Sequence, residues 1–289
     1  MKRKLILAVA FVCTVAIALV AGTRIINALE RKSYTATYSM QAGGLTRSYE
    51  VIAPVAALPK QAPIIVVLSG ITAPIDDEVQ RDRFVPYVDA GRAELVYPVG
   101  IGLSWNAGGC CGKAAADKVD DVAFLKALVA QVDPGHQHPI YLVGYSNGGR
   151  LAYRMACSAA GVYDGTAVVK AMPMPGCVVT RPLTIMQVES LDDPSVPFKP
   201  GDRGRESPPA TVEIARLRAT DGCSGHLVTT SYPSAKIVTW SKCTSGRVGF
   251  AVYDTGGHNF PPPKGKKQPA ASSVIWAFFT KTAIAPLPK

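Results

Sequence analysis

Gly144-Tyr145-Ser146-Asn147-Gly148-Gly149 is the run whose residue types and spacing say most about chemistry. It is a G-x-S-x-G pattern between an apolar stretch ending at Val143 and a segment of helical character starting near Asn147. A serine on such a strand-to-helix elbow projects its hydroxyl above a sheet, and small residues two before and two after it let strand and helix approach closely. The Asn147 N–H, at the helix N-terminus, would face a developing oxyanion there. The plain alternative is an ordinary glycine-rich turn, but the flanking strand and helix are the context that the elbow requires.

A serine hydroxyl is a weak nucleophile near neutral pH and needs a base within hydrogen-bond reach. Of the four histidines, His136 and His138 lie in a proline-bounded loop suited to solvation or a turn, and His226 follows Cys223 in a segment suited to a structural role. His258 stands in Thr255-Gly256-Gly257-His258-Asn259-Phe260, after the apolar run Val248 to Tyr253 and before the last helical pattern. An acid that fixes the imidazole tautomer should follow the run Leu183 to Val188. Asp192 and Asp193 both qualify, and register favours Asp193, which opens Asp193-Pro194-Ser195-Val196-Pro197-Phe198. Asp164, Asp202, Asp221 and Asp254 read as caps, turns or solvated charges. A second oxyanion donor is expected from Leu68-Ser69-Gly70-Ile71, with the Ile71 N–H as candidate. The order serine, acid, histidine is that of the α/β-hydrolase fold.

These residues must be held by a sheet. Pro63 to Leu68, Glu94 to Tyr97, Ile140 to Val143, Ala167 to Ala171 and Leu183 to Val188 are short apolar runs, as expected of parallel strands covered on both faces. Helical periodicity separates some of them, at Val119 to Val132 and Arg150 to Ser158, and recurs at Ala270 to Thr280. Strand and helix alternating in this way predict a doubly wound, mainly parallel sheet with helices on both faces. Tyr34 to Met40 and Arg47 to Ala53 alternate as antiparallel edge strands do.

Lys2, Arg3 and Lys4 precede an apolar run from Leu5 to Gly22, the pattern of an export signal or an uncleaved signal anchor, so membrane anchoring through residues 5–22 is one expectation. Residues 23–32 read as a linker and 33–289 as a single domain. The chain carries a net charge of +10, but no nucleic-acid-binding signature accompanies it, and no nucleic-acid partner is expected. Six cysteines lie beyond the apolar segment, an even number that suggests disulfides in an exported chain. Cys223 with Cys243, flanking a hairpin, and Cys157 with Cys177 are the expected pairs, while adjacent Cys110 and Cys111 would form a vicinal bridge or stay reduced. No C-x-x-C spacing points to zinc.

Several blocks together resemble the polyhydroxybutyrate depolymerase and feruloyl esterase group of exported α/β-hydrolases. They are Ser104-Trp105-Asn106-Ala107-Gly108-Gly109-Cys110-Cys111-Gly112, Val119-Asp120-Asp121, the Ser146 elbow, Asp193 to Phe198, Asp221-Gly222-Cys223, Trp240 with Cys243, and Gly256-Gly257-His258. The resemblance spans roughly residues 34 to 282. It implies hydrolysis of carboxylic esters through acylation of Ser146, with Asp193 and His258 as partners and no metal or organic cofactor. The implied substrates are small acyl esters, polyester oligomers or acylated polysaccharides, and the implied location is secreted, periplasmic or on the outer face of the membrane. Two departures stand beside the site: Leu68-Ser69-Gly70 where the group has Leu-His-Gly, and Glu189-Ser190-Leu191 where it has His-Gly-Thr. A serine peptidase of the same fold and a catalytically silent envelope binding protein are the competing readings.

Overall fold

Six strands run parallel through the centre of the sheet, each covered on both faces so that nearly all its residues are buried. In the computed structural model, which describes residues 32–202, 208–225 and 227–289, these strands are β3 (Ile64–Leu68), β4 (Glu94–Pro98), β5 (Ile140–Tyr145), β6 (Gly165–Val169), β7 (Thr184–Ser190) and β10 (Arg247–Tyr253). Every residue of β3 and β6 is buried. Hairpins extend the two edges: β1 (Ser33–Ala42) with β2 (Leu45–Pro54), and β8 (Leu227–Tyr232) with β9 (Ala235–Trp240). The resulting order, β1-β2-β4-β3-β5-β6-β7-β10-β9-β8, is antiparallel outside the central six. The N-terminal basic and apolar segment, the linker through Arg31, and His226 lie outside the described residues.

Successive side chains of a strand face opposite ways, so the sheet divides the core in two. Val66 and Leu68 face Phe124, Leu128 and Leu151, while Ile65 and Val67 face Phe84, Val274 and Ile275. On the first face lie α4 (Asp121–Val132), α5 (Asn147–Ser158) and α6 (Ala210–Thr220). On the second lie α2 (Val85–Asp89) and α7 (Ala271–Thr280). Two further helices, α1 (Ile75–Asp82) and α3 (Gly112–Ala116), follow β3 and β4. Asp120 caps α4 by accepting the Ala123 N–H at 3.0 Å, the usual way an orphan donor of a first turn is satisfied.

Three readings of the sequence are corrected. The β2 strand is not an edge strand, because its second side pairs with β4. The run Ala167 to Ala171 leaves the sheet after Val169, where Lys170 takes a left-handed backbone. Asp221 is no solvated charge: it is fully buried, and both its oxygens accept the Leu183 N–H. That bond ties the end of α6 to the start of β7, and burial pushes the carboxyl up to about 6.

Disulfides join Cys157 to Cys177, Cys223 to Cys243 and Cys110 to Cys111. The first holds the end of α5 to the loop after β6, and the second closes the β8–β9 hairpin. Each spans 20 residues, a loop whose cross-linking should stabilise by about 3 kcal/mol. Denaturant unfolding with and without dithiothreitol is therefore expected to show a loss of that order for each bridge reduced. Among the described residues no helix is long and apolar enough to cross a membrane.

Candidate active site

Ser146 sits between β5 and α5 with φ 52° and ψ −114°, a left-handed backbone that a residue with a Cβ adopts only under constraint. The constraint is visible. The Ser146 N–H donates to Val169 O at 2.9 Å. A Cβ on Gly144 would stand 2.4 Å from Gly148 O, and one on Gly148 would stand 2.4 Å from Leu68 O. Only glycine fits at both places, which is why the elbow can be this tight.

His258 reaches Ser146 from the loop after β10. Its Nε2 is 2.9 Å from Ser146 Oγ, and its Nδ1 lies 2.9 Å and 3.1 Å from the two oxygens of Asp193. Asp193 follows β7, and its Oδ1 also accepts the N–H groups of Ser195 at 2.8 Å and Val196 at 3.2 Å. Burial works to raise this carboxyl. The hydrogen bonds from His258 and Ser195 and the positive charges nearby outweigh it, leaving Asp193 below the usual carboxylate range. Asp192 has a different task, accepting the N–H groups of Gly257 at 2.8 Å and Gly256 at 3.2 Å and so fixing the loop that carries the histidine. The Tyr145 hydroxyl donates to His258 O at 2.6 Å from the other side.

The Trp-Asn block forms the support of this site. Trp105 is fully buried, and its indole N–H donates to Ser69 O at 3.0 Å, in the loop that carries Gly70 and Ile71. Its backbone exchanges two hydrogen bonds with the Asn147 side chain, N–H to Oδ1 at 2.7 Å and Nδ2 to O at 3.1 Å. One residue therefore ties the elbow to the neighbouring loop. Asn106 donates its N–H to Asp121 Oδ2 at 2.7 Å, and Asp121 Oδ1 pairs with buried Arg47 at 2.8 Å. Trp105→Phe would keep an aromatic ring in the core but open a small void and leave the buried Ser69 carbonyl unpaired, the latter at about 1–3 kcal/mol. The expected outcome is a lower melting temperature with a roughly tenfold drop in kcat and a small change in KM, since the loop geometry matters most where charge develops.

The structure also places Ile71 beside Leu103: the Thr72 N–H donates to Leu103 O, and a Cβ on Gly112 would meet Ile71 Cδ1 at 3.2 Å. Among the described residues, no hydrogen bond engages the Ile71 N–H, and the Asn147 N–H, first in its helix, has no intrahelical acceptor. Ile71, Leu103 and Leu191 expose 39%, 39% and 52% of their surface. All three follow strand ends on the same edge of the sheet as Ser146.

Near the site stand three residues with no obvious mark in the sequence, Glu78, Arg81 and Lys170, together with Glu189 of the Glu189-Ser190-Leu191 departure. Glu78, fully buried, accepts the Gly70 N–H at 3.4 Å and pairs with Arg81 at 2.6 Å. Arg81 lies 4.9 Å from the Tyr145 ring. Lys170 and Glu189 are buried behind Asp193. By contrast, His136 pairs with Asp164 at 3.0 Å and His138 bonds Ala62 O at 3.2 Å, both away from Ser146. Among the described residues, no three His, Cys, Asp or Glu side chains converge as metal ligands.

No family model matches the sequence. A protein of Nocardia uniformis subsp. tsuyamanensis named as an esterase, NocK, is 30% identical over 191 residues, which cover 60% of this chain and 55% of that protein. A protein of Aspergillus niger named as feruloyl esterase C is 27% identical over 219 residues, 71% of this chain and 73% of that protein. The chain thus spans little more than half the length of the first relative. Among solved structures, a Klebsiella pneumoniae protein named as a dienelactone hydrolase superposes with a TM-score of 0.53 at 15% identity, covering 87% of this chain and all of that one. The feruloyl esterase module of Clostridium thermocellum, in complex with sinapinate, superposes with a TM-score of 0.50 at 10% identity, covering 79% and 83%. The chain thus has the α/β-hydrolase fold and is similar in sequence to proteins named as esterases.

Proposed function

We propose that the protein hydrolyses carboxylic esters with Ser146 as nucleophile, His258 as general base and Asp193 as the acid that orients it. The observation that carries this reading is the continuous line from Ser146 Oγ through both nitrogens of His258 to Asp193, each step near 2.9 Å. His258 takes the serine proton as Oγ attacks the ester carbonyl, and Asp193 stabilises the imidazolium that forms. The N–H groups of Asn147 and Ile71 receive the oxyanion. The protonated ring then releases the alcohol, leaving an acyl-serine. Water, deprotonated by the same ring, attacks the acyl carbonyl and frees the acid and the serine. None of these steps requires a metal or an organic cofactor.

The exposed apolar Ile71, Leu103 and Leu191, which follow strand ends on the serine's edge of the sheet, suit an aromatic or short aliphatic acyl group. With relatives named as feruloyl esterases, they favour hydroxycinnamoyl esters of polysaccharides over polyester oligomers. The disulfides and the apolar N-terminal segment favour a site of action outside the cytoplasm. The test is turnover of p-nitrophenyl esters from acetate to laurate, of methyl ferulate and of hydroxybutyrate oligomers, with fluorophosphonate labelling of the same sample. Labelling at Ser146 with preferred turnover of methyl ferulate supports the reading. Preferred turnover of the oligomers reassigns the substrate, and a folded protein that neither labels nor turns over any ester sinks it in favour of a silent binding protein.

A further inference from the structure

Behind the Asp193–His258 pair lies a buried polar cluster that the hydrolytic steps above leave unused. Lys170 leaves β6 with φ 56° and donates its N–H to Val188 O at 3.0 Å, which turns its side chain toward the end of β7. The residue is 1% exposed. Its ammonium has no hydrogen-bond partner and stands 4.0 Å from Asp193 Oδ2, the same oxygen that His258 Nδ1 approaches at 2.9 Å. Glu189 is equally buried. Its Oε1 accepts the Gln187 amide at 2.5 Å, and its Oε2 has no partner. Gln187 also donates to Ala171 O and accepts the Tyr153 hydroxyl, so a neutral chain fixes the cluster from below. The charged groups facing Lys170 are Glu189, Asp193 and Asp192, and those facing Asp193 are His258, Lys170 and Glu189.

An ammonium buried without a hydrogen bond costs several kcal/mol, and Met would fill this space without that cost. We propose, on the footing of the triad assigned above, that Lys170 is a positioning residue for Asp193 and His258. In this arrangement its ammonium competes with the imidazolium for Asp193 Oδ2, with Glu189 as the switchable counter-charge. Burial pushes the Glu189 carboxyl up to about 8, and burial draws the Lys170 ammonium down. While Glu189 is neutral, the field of the ammonium falls on Asp193. Once Glu189 ionises, it neutralises part of that field.

The test follows the ring titration of His258 by NMR in the whole protein, assigned by its loss in His258→Gln, with the pH profile of kcat/KM measured alongside. Lys170→Met is expected to move the ring midpoint upward by about half a pH unit or more, because a positive charge has been removed within a few ångströms of Asp193. The acidic limb of kcat/KM should move with it. Lys170→Met with Glu189→Gln, which leaves the cluster uncharged, should show the same upward shift and stands in if the single variant does not fold. Glu189→Gln alone should leave the acidic limb in place. A merely structural Lys170 would lower the melting temperature without moving the ring. A midpoint within about 0.2 units of wild type in the lysine variant that folds overturns the proposal, since a charge this close must be felt. The ring titrates whether or not esters turn over, so failure of the proposed function would be seen separately, as absent turnover.

Discussion

Ser146→Ala is expected to lower kcat for a p-nitrophenyl ester by about 10⁶-fold while the protein stays folded, the size of loss found when the nucleophile of a serine triad is removed. The residual rate would come from binding and the oxyanion donors, which the substitution leaves in place. Alanine keeps the Cβ of serine, so the backbone strain at φ 52° stays as well. Ser146→Gly would relieve it. A left-handed or otherwise sparsely populated backbone costs on the order of 1–3 kcal/mol, and glycine adopts it without a Cβ clash. Ser146→Gly should therefore unfold at a temperature about 2–4 °C higher than Ser146→Ala, which is roughly 1 kcal/mol in a domain of this size. Thermal unfolding of the two inactive variants checks this directly. Equal melting temperatures would mean that the elbow is not strained, and retained turnover in either variant would remove Ser146 from the chemistry.

The elements that held most firmly in the sequence were those whose pattern is local. The apolar runs of β3 and β5 need no knowledge of their neighbours, because burial on both faces leaves few polar positions to interrupt them, and that of β7 is broken before Val188 only by Gln187. The helices α4, α5 and α7 were legible within a few residues at their N-terminal ends. The helices α1, α2 and α3 were not, since five to eight residues give too few turns for a periodicity to show. In α1 the sequence Ile75-Asp76-Asp77-Glu78-Val79-Gln80-Arg81-Asp82 looks like a solvated face, yet Glu78 and Asp82 are fully buried. Their partners, Gly70, Arg81, Phe84 and Tyr97, include residues that only the fold brings close. Lys170 was hidden in the same way: it ends an apolar run, and nothing in Val168-Val169-Lys170-Ala171 says that the lysine turns inward. The Trp-Asn block was recognisable as a signature, but its task was not. Only the structure shows Trp105 holding Ser69 and Asn147 at once.

Asp193→Asn is expected to lower kcat by about 10⁴-fold, and Asp192→Asn by tenfold at most, although the two carboxylates are neighbours. Asp193 accepts from His258 Nδ1, which places the ring proton on Nδ1 and leaves Nε2 free to receive the proton of Ser146. An asparagine can keep its oxygen on the N–H groups of Ser195 and Val196 and so hold the loop. Its amide would then donate to Nδ1 and force the opposite tautomer, with a hydrogen on Nε2 where the base should be; a loss of about this size is what the wrong tautomer costs. The same substitution removes the carboxylate nearest Lys170, so Glu189 becomes the counter-charge left beside the buried ammonium. The variant should consequently melt at a lower temperature than Asp192→Asn, since a buried ammonium has lost its nearest counter-charge. Asp192→Asn keeps an oxygen for one of the two glycine N–H groups and leaves the His258 tautomer alone, so the histidine loop loosens while the base survives. Steady-state kinetics of the two variants on one ester separate the roles. If Asp192→Asn proved the damaging change, the acid would lie one residue earlier, and the 2.9 Å contact between His258 and Asp193 would not be the one that acts.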